Sequence, residues 1–222
     1  MESNSTRRFA RRAPCKSNPA RRVDIHITDM RTADAAWWDR KLGPYHRLDR
    51  TRADRLWVWS ALLLFCRVIQ HRKQRNYRAL VIWARDNGRR FVRVGMAIVI
   101  EGYPHLDVTD RSQSNFVWFI SAADSDVLKH HHGVSEPPSL GRVLIDCAIV
   151  SSENAGFNGR IGLHASGNGG QRLLEFYVKR GLIRLAETAH LPISVRRRND
   201  GRFFYATANV AKNLARALDP DR

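Results

Sequence analysis

Val23, Ile25 and Ile27 alternate with Asp24, His26 and Thr28 near the start of the chain. This is the period-two pattern of a half-buried strand. "TADAAWWDRKLG" follows, predicting a short helix capped at Thr32 and stopped at Gly43. The apolar content of residues 51–70 predicts a buried helix. Residues 80–84 and 91–100 are β-rich runs joined through Asp86-Asn87-Gly88, a turn chemistry that accepts positive φ, and they predict a hairpin. Residues 114–123, "SNFVWFISAA", are almost continuously apolar, which suits a central strand covered on both faces.

A polar loop, "DSDVLKHHHGVSEPPSLG", comes next. Leu140, Val143, Leu144 and Cys147 then share one side of a helix, and "GRIGLHAS" reads as a strand. Over residues 170–180, Leu173, Leu174, Tyr177 and Val178 form one stripe of a 3.6-residue repeat, widened by Phe176. Gly181 stands where a helix end favours left-handed dihedrals. "LIRLAETAHL" and "GRFFYATANV" are strand-like, and the last residues form a short basic helix. Strands alternating with helices predict an α/β fold: a mixed central sheet of about six or seven strands, flanked by helices.

Composition changes the picture in three ways. A hydrophobic content of 43% in 222 residues supports one sizeable core. A formal net charge of +17 favours polyanionic partners: nucleic acid, a ribonucleoprotein, an acidic protein face or an anionic membrane surface. Cys15, Cys66 and Cys147 are far apart and form no metal or disulfide framework, so a reducing, cytoplasmic setting is expected. The most apolar segment, residues 56–70, is shorter than the ~20 residues a bilayer requires, so no membrane span is expected. Residues 1–22 carry Arg7, Arg8, Arg11, Arg12, Lys16, Arg21 and Arg22 against Glu2 alone. They read as a disordered basic arm preceding a single domain over 23–222.

The segment 161–182 carries a resemblance. Leu163-His164-Ala165, then Phe176-Tyr177 and Gly181-Leu182, are similar to the fifth strand and following helix of the GCN5-related N-acetyltransferase (GNAT) superfamily. "GRFFY" is similar to the last strand of many members, and the hairpin ending in "EGYPHLD" to their second and third strands. The resemblance, to a divergent member, spans roughly 23–210 and implies an acyl-CoA-dependent N-acyltransferase using acetyl-CoA and an amine acceptor.

Several site residues follow from that resemblance. Tyr177 matches the tyrosine that protonates the departing thiolate in many members. As a residue-level alternative, it is a packed core tyrosine. Glu101 and Asp124 are the carboxylates near the implied cleft that can deprotonate the acceptor ammonium, with water as the other route. The family's pyrophosphate loop corresponds to "KHHHGVSEPPSLGR", where Lys129, His132, Gly133, Ser139, Gly141 and Arg142 are the cofactor-binding candidates. Pro137 and Pro138 depart from the family pattern, because they remove two amide donors from a loop that needs them. Asn168 stands two residues from the position of the family's coenzyme A-orienting asparagine; the alternative is a turn made by Gly167, Asn168, Gly169 and Gly170. No metal site is expected from His130, His131 and His132, since consecutive side chains diverge. A second function class stays open: a catalytically silent member binding nucleic acid or a ribonucleoprotein through basic clusters at 71–78, 87–93 and 196–198.

Overall fold

The computed structural model describes residues 7–73, 76–87, 90–107, 109–192 and 199–222. The strands among them are β1 (Arg12–Pro14), β2 (Arg22–Asp29), β3 (Tyr77–Arg85), β4 (Phe91–Pro104), β5 (Gln113–Ala122), β6 (Ile161–His164), β7 (Ile183–Arg184) and β8 (Phe203–Ala206). They form one sheet in the order β1-β2-β3-β4-β5-β6-β8-β7. Neighbours are antiparallel except β5 and β6, which are parallel. The sheet is therefore mixed, as the alternation of strands and helices predicts, with eight strands among the described residues rather than six or seven.

Helices cover both faces. On one face α1 (Thr32–Lys41) and α3 (Trp59–Lys73) bury Trp38, Leu42, Trp59, Leu63 and Cys66 against Val81, Met96, Ile98 and Ile100 of β3 and β4. On the other, α5 (Leu140–Asn154) sets Val143, Leu144 and Cys147 on Leu80, Ile82 and Val94. Farther along the same face, α5, α6 (Gly170–Lys179) and α7 (Ala208–Arg216) pack Ile145, Ile149, Leu174, Tyr177, Ala211 and Ala215 against Leu163 and Phe204. Val81 and Ile82 go to opposite faces, which is the pleat of a strand covered on both sides. Each fully buried large side chain contributes roughly 1.5–3 kcal/mol.

The N-terminal segment overturns the expectation of a basic arm from residue 7 onward; residues 1–6 of that expectation lie outside the described residues. β1 pairs with β2, placing Arg12 opposite Asp24, and Ala10, Ala13 and Cys15 are buried. Arg7, Arg21 and Arg22 are engaged by acids far along the chain. Arg7 Nη1 lies 2.8 Å from Glu153 Oε1 and Arg22 Nε 2.8 Å from Asp221 Oδ1. Such partners are invisible to a local composition argument.

Other differences have similar causes. Helix α3 starts only at Trp59, because Asp39 of α1 caps it: Oδ1 accepts from Trp59 N–H at 2.7 Å, and Oδ2 from Ser60 N–H at 2.9 Å. Thr32 is the first residue of α1 and Arg31 its cap; Gly43 opens α2 (Gly43–Leu48) rather than ending the chain's helical run. The loop expected after residue 123 contains α4 (Ser125–His132). The strand-like run after Leu182 shrinks to the two residues of β7. The turn glycine Gly88 and the cluster 196–198 lie outside the described residues.

Candidate active site

The site begins with a bulge. Ile98 pairs with Phe119 and Val99 with Val117, so Trp118 is an extra residue on β5. Consecutive residues Trp118 and Phe119 consequently both pack toward the α1/α3 face. A bulge bends its strand and increases the local twist. The parallel pairing of β5 with β6 stops at Val117–Leu163, just before it. Beyond that point β5 continues to Ala122 beside β4 alone among the described residues, and β6 ends at His164.

The two parallel strands thus splay around an open cleft of about 1260 Å³, a volume that takes in solvent at its mouth. Its lining includes Val117, Trp118, Ile120 and Ser121 of β5, with Leu163 and His164 of β6. Leu140 and Gly141 come from α5; Leu173, Phe176 and Tyr177 from α6; Arg52, Asp54 and Trp57 from the segment before α3.

On the α5 side the cleft is electropositive. Ser139 precedes α5 without capping it through its side chain, and the first turn carries no acid. The leading N–H groups of a helix have no intrahelical acceptor, and the dipole there favours an anion. Lys16 and Arg180 join the same lining. The guanidinium of Arg180 lies over the Phe176 ring, 4.6 Å from its centre, and its Nε is buried without a partner among the described residues. Burial, then the like charge of Arg142, lowers its pKa.

Pro137 and Pro138 do remove donors, yet their loop is held by the N-terminal segment. Lys16 N–H donates to the Pro137 carbonyl at 2.9 Å, Ser139 N–H to that of Pro14 at 2.7 Å, and Cys15 bridges to Pro138. The amides that remain for an anion are those of the first turn of α5.

The opposite side of the cleft is built around Asp54. Arg52 binds it bidentately, Nε to Oδ1 at 2.8 Å and Nη2 to Oδ2 at 2.7 Å, and also donates to the Ala122 carbonyl at 2.7 Å. Ser121 donates its hydroxyl to the same carboxylate. Burial pushes the Asp54 carboxyl up, but Arg52, His46 and Ser121 together hold it below the usual range. His46 Nδ1 is 3.6 Å from Asp54 Oδ2. Burial, and then Arg52, depress that imidazole to about 4, so it is neutral beside the pair at neutral pH.

His164 completes the lining. Its Nε2 lies 3.1 and 3.0 Å from the two oxygens of Asp200, and its ring packs tilted, at 52°, against Phe203 with centres 4.6 Å apart.

The sequence-derived candidates divide accordingly. Tyr177, Ser139 and Gly141 line the cleft. Tyr177 is 5% exposed and packs on Phe204, and burial raises its phenol well above the usual range. Arg142 lies just outside, in a neighbouring surface pocket that shares Arg180. Glu101 sits at the β4 irregularity beyond the pair Ile100–Phe116, toward the start of β5, and is not among the lining residues. Asp124 caps α4, its Oδ1 accepting from Asp126 N–H at 2.8 Å and Val127 N–H at 3.2 Å. Lys129 and His132 of α4, and Gly133 after it, are not among the lining residues: Lys129 is exposed, the His132 ring packs on Trp37 at 5.4 Å, and Gly133 ends the helix at φ 65°. Asn168 is exposed in the short 3-10 turn Gly167–Gly169, which agrees with the turn reading. The sequence reading missed Lys16, Asp54, Arg180 and the His164–Asp200 pair. For His164 the signals were its place at the end of an apolar strand and in the Leu163-His164-Ala165 signature, neither of which gave it a role.

No family model matches the chain, and no curated protein matches it. Solved structures do. The chain is similar to apo FdhC, a nucleotide-linked sugar GNAT, with 9% identity, a TM-score of 0.55, and coverage of 97% of this chain and 99% of that one. Weaker likenesses are to a mutant of the AtaT toxin bound to the C-terminus of the antitoxin AtaR and acetyl-CoA, and to spermidine N-acetyltransferase from Vibrio cholerae with CoA and spermine. The first has 16% identity, a TM-score of 0.48 and coverage of 86% and 97%. The second has 14% identity, a TM-score of 0.46 and coverage of 85% and 98%. The chain has the GNAT fold.

Proposed function

We propose that the protein transfers the acyl group of acetyl-CoA, or a related acyl-CoA, to a primary amine. The observation that carries this reading is the splay of β5 from β6 beside the uncapped, arginine-flanked N-terminus of α5. A ligand with an extended amide-bearing arm and a diphosphate fits that combination. Among the described residues, the edge of β5 past Val117 has no strand partner on the β6 side, so it can pair with amides as a further strand would. The first turn of α5, with Arg180 and Lys16, offers amides and cations to the diphosphate. When bound, acetyl-CoA supplies an activated carbonyl, and the chain's residues bind it, orient it and handle protons. Tyr177 donates a proton to the departing sulfur; its raised pKa keeps the phenol protonated throughout the neutral range. The acceptor amine approaches from the Arg52–Asp54 side. A net charge of +17 favours an amine carried on a polyanion, an RNA-linked or ribonucleoprotein acceptor.

The test is calorimetric titration with acetyl-CoA, joined to a thermal midpoint series. Ligand at about a hundredfold over its dissociation constant adds ~2.7 kcal/mol. No heat and no shift at millimolar ligand would overturn the transferase reading in favour of a silent member of the fold that binds nucleic acid through its basic surface.

A further inference from the structure

Resting on the transferase reading, we infer that His164 is the general base that deprotonates the acceptor amine, positioned by Asp200. Among the described residues lining the cleft, the side chains able to take a proton from an ammonium at neutral pH are Asp54 and His164. Asp54 is fully engaged by Arg52 and Ser121. His164 is not: Nε2 is on Asp200, while Nδ1 has no hydrogen-bond partner among the described residues.

The pair is built to hold one tautomer. An ionised carboxylate only accepts, so Nε2 carries the ring proton and Nδ1 the lone pair. Burial raises the Asp200 carboxyl, but its bonds to His164 and to Arg202 N–H outweigh this and keep it below the usual range. Asp200 is pinned through both of its chain neighbours. Asn199 Nδ2 donates to the carbonyls of Ala186 and Ala189 at 2.6 and 2.9 Å, and Arg184 Nε to that of Gly201 at 2.6 Å. The tilted contact with Phe203, ring centres 4.6 Å apart, packs the imidazole on its other side.

The face of the sheet also fits. His164 leans on Phe203, whose cluster holds Leu106 and Phe116, whereas Tyr177 packs with Phe204 among the α5, α6 and α7 side chains. The base therefore stands on the acceptor side of the cleft and the acid on the acyl-donor side.

The step balances. Nδ1 takes one proton from the ammonium, and the freed nitrogen lone pair forms the C–N bond at the thioester carbonyl. The C–S bond breaks with its electron pair going to sulfur, which takes the Tyr177 proton; the proton shed by the new amide nitrogen restores the phenol. The imidazolium returns its proton to water. The other charged groups of the cleft are the Arg52–Asp54 pair, Lys16 and Arg180; Arg202 is tied to the carbonyls of Ala165 and Ser166.

The experiment compares two small amines with acetyl-CoA at neutral pH, reading thiol release. Propylamine is protonated there and needs a base, whereas methoxyamine is already neutral. His164→Gln lowers turnover of propylamine by ~10²–10⁴-fold and leaves methoxyamine turnover and acetyl-CoA affinity close to wild type. Asp200→Asn lowers propylamine turnover less, and nitrogen NMR shows the ring proton of His164 shifting from Nε2 toward Nδ1. Equal loss with both amines, loss with neither, or a wild-type imidazole protonated on Nδ1 would each overturn the assignment alone. Failure of the wild-type protein to bind acetyl-CoA would overturn the transferase reading beneath it.

Discussion

Tyr177 and His164 reach one cleft from opposite faces of the sheet, each leaning on a different one of two consecutive phenylalanines. Tyr177 packs on Phe204, ring centres 5.3 Å apart, and His164 on Phe203, 4.6 Å apart. Successive residues of β8 point to opposite faces, so one short strand fixes the separation of the two groups. Under the proposed transfer, this places an acid and a base across a splayed pair of strands, as a reaction that removes a proton from one substrate and gives one to another requires.

Tyr177→Phe removes only a hydroxyl from a ring whose packing persists. The expected outcome is turnover lower by ~10²–10⁴-fold with acetyl-CoA affinity unchanged, because the phenol acts on the leaving group. Steady-state rates beside calorimetry decide this, and a variant with wild-type turnover would leave Tyr177 a core residue.

Gly141 marks where the helix approaches the cleft wall. A Cβ there would stand 2.8 Å from Phe176 Cε2 and Cζ and 3.3 Å from Arg180 Nη2. Gly141→Ala must displace the Phe176 ring and the guanidinium stacked on it, a strain of about 1–3 kcal/mol. Acetyl-CoA binding is expected to weaken about tenfold. Unaltered affinity in the variant would place the ligand away from this turn.

Stability is expected to fall on mild acidification. His46 is buried beside Arg52, Asp54, Asp49 and Asp124, and its pKa drops from 6.5 to about 4. A base kept neutral by folding takes up protons more readily when unfolded. Its contribution is therefore complete above the unfolded pKa and is lost as pH falls through 6.5 toward about 4. The loss approaches about 3 kcal/mol. Urea unfolding across that range gives the slope, and His46→Gln should flatten it; an unchanged slope would assign the acid sensitivity to other groups.

The N-terminal segment is part of the folded structure. Ala10, Ala13 and Cys15 are buried, and main-chain bonds tie Arg11 to Asp221 and Ile25, Pro14 to Ser139, and Lys16 to Pro137. At about 1 kcal/mol each, losing these bonds on deletion of residues 1–16 is expected to lower the thermal midpoint on the order of 10 °C. Acetyl-CoA affinity should weaken as well, since Lys16 and the support of the 137–139 loop leave together. A truncated protein that melts and binds like the full chain would restore the picture of a dispensable arm.

What the sequence by itself determined are the elements whose signal is local. The stripe through Leu173, Leu174 and Tyr177 specified α6, Val143, Leu144 and Cys147 specified α5, and the β-rich runs specified β3 and β4. Each element is fixed by which positions within about ten residues are apolar, and that pattern is written along the chain. Tyr177, Ser139 and Gly141, which line the cleft, were put forward by the GNAT resemblance and not by that pattern. Tertiary structure alone decided which polar groups meet. Asp54 meets Ser121 from 67 residues away, His164 meets Asp200 across 36, and Arg7 meets Glu153 across 146. A carboxylate becomes a helix cap, as Asp124 does, or the partner of an imidazole, as Asp200 does, according to what lies within about 3 Å. That distance is set by the pairing of distant strands, by the bulge at Trp118 and by the splay it starts.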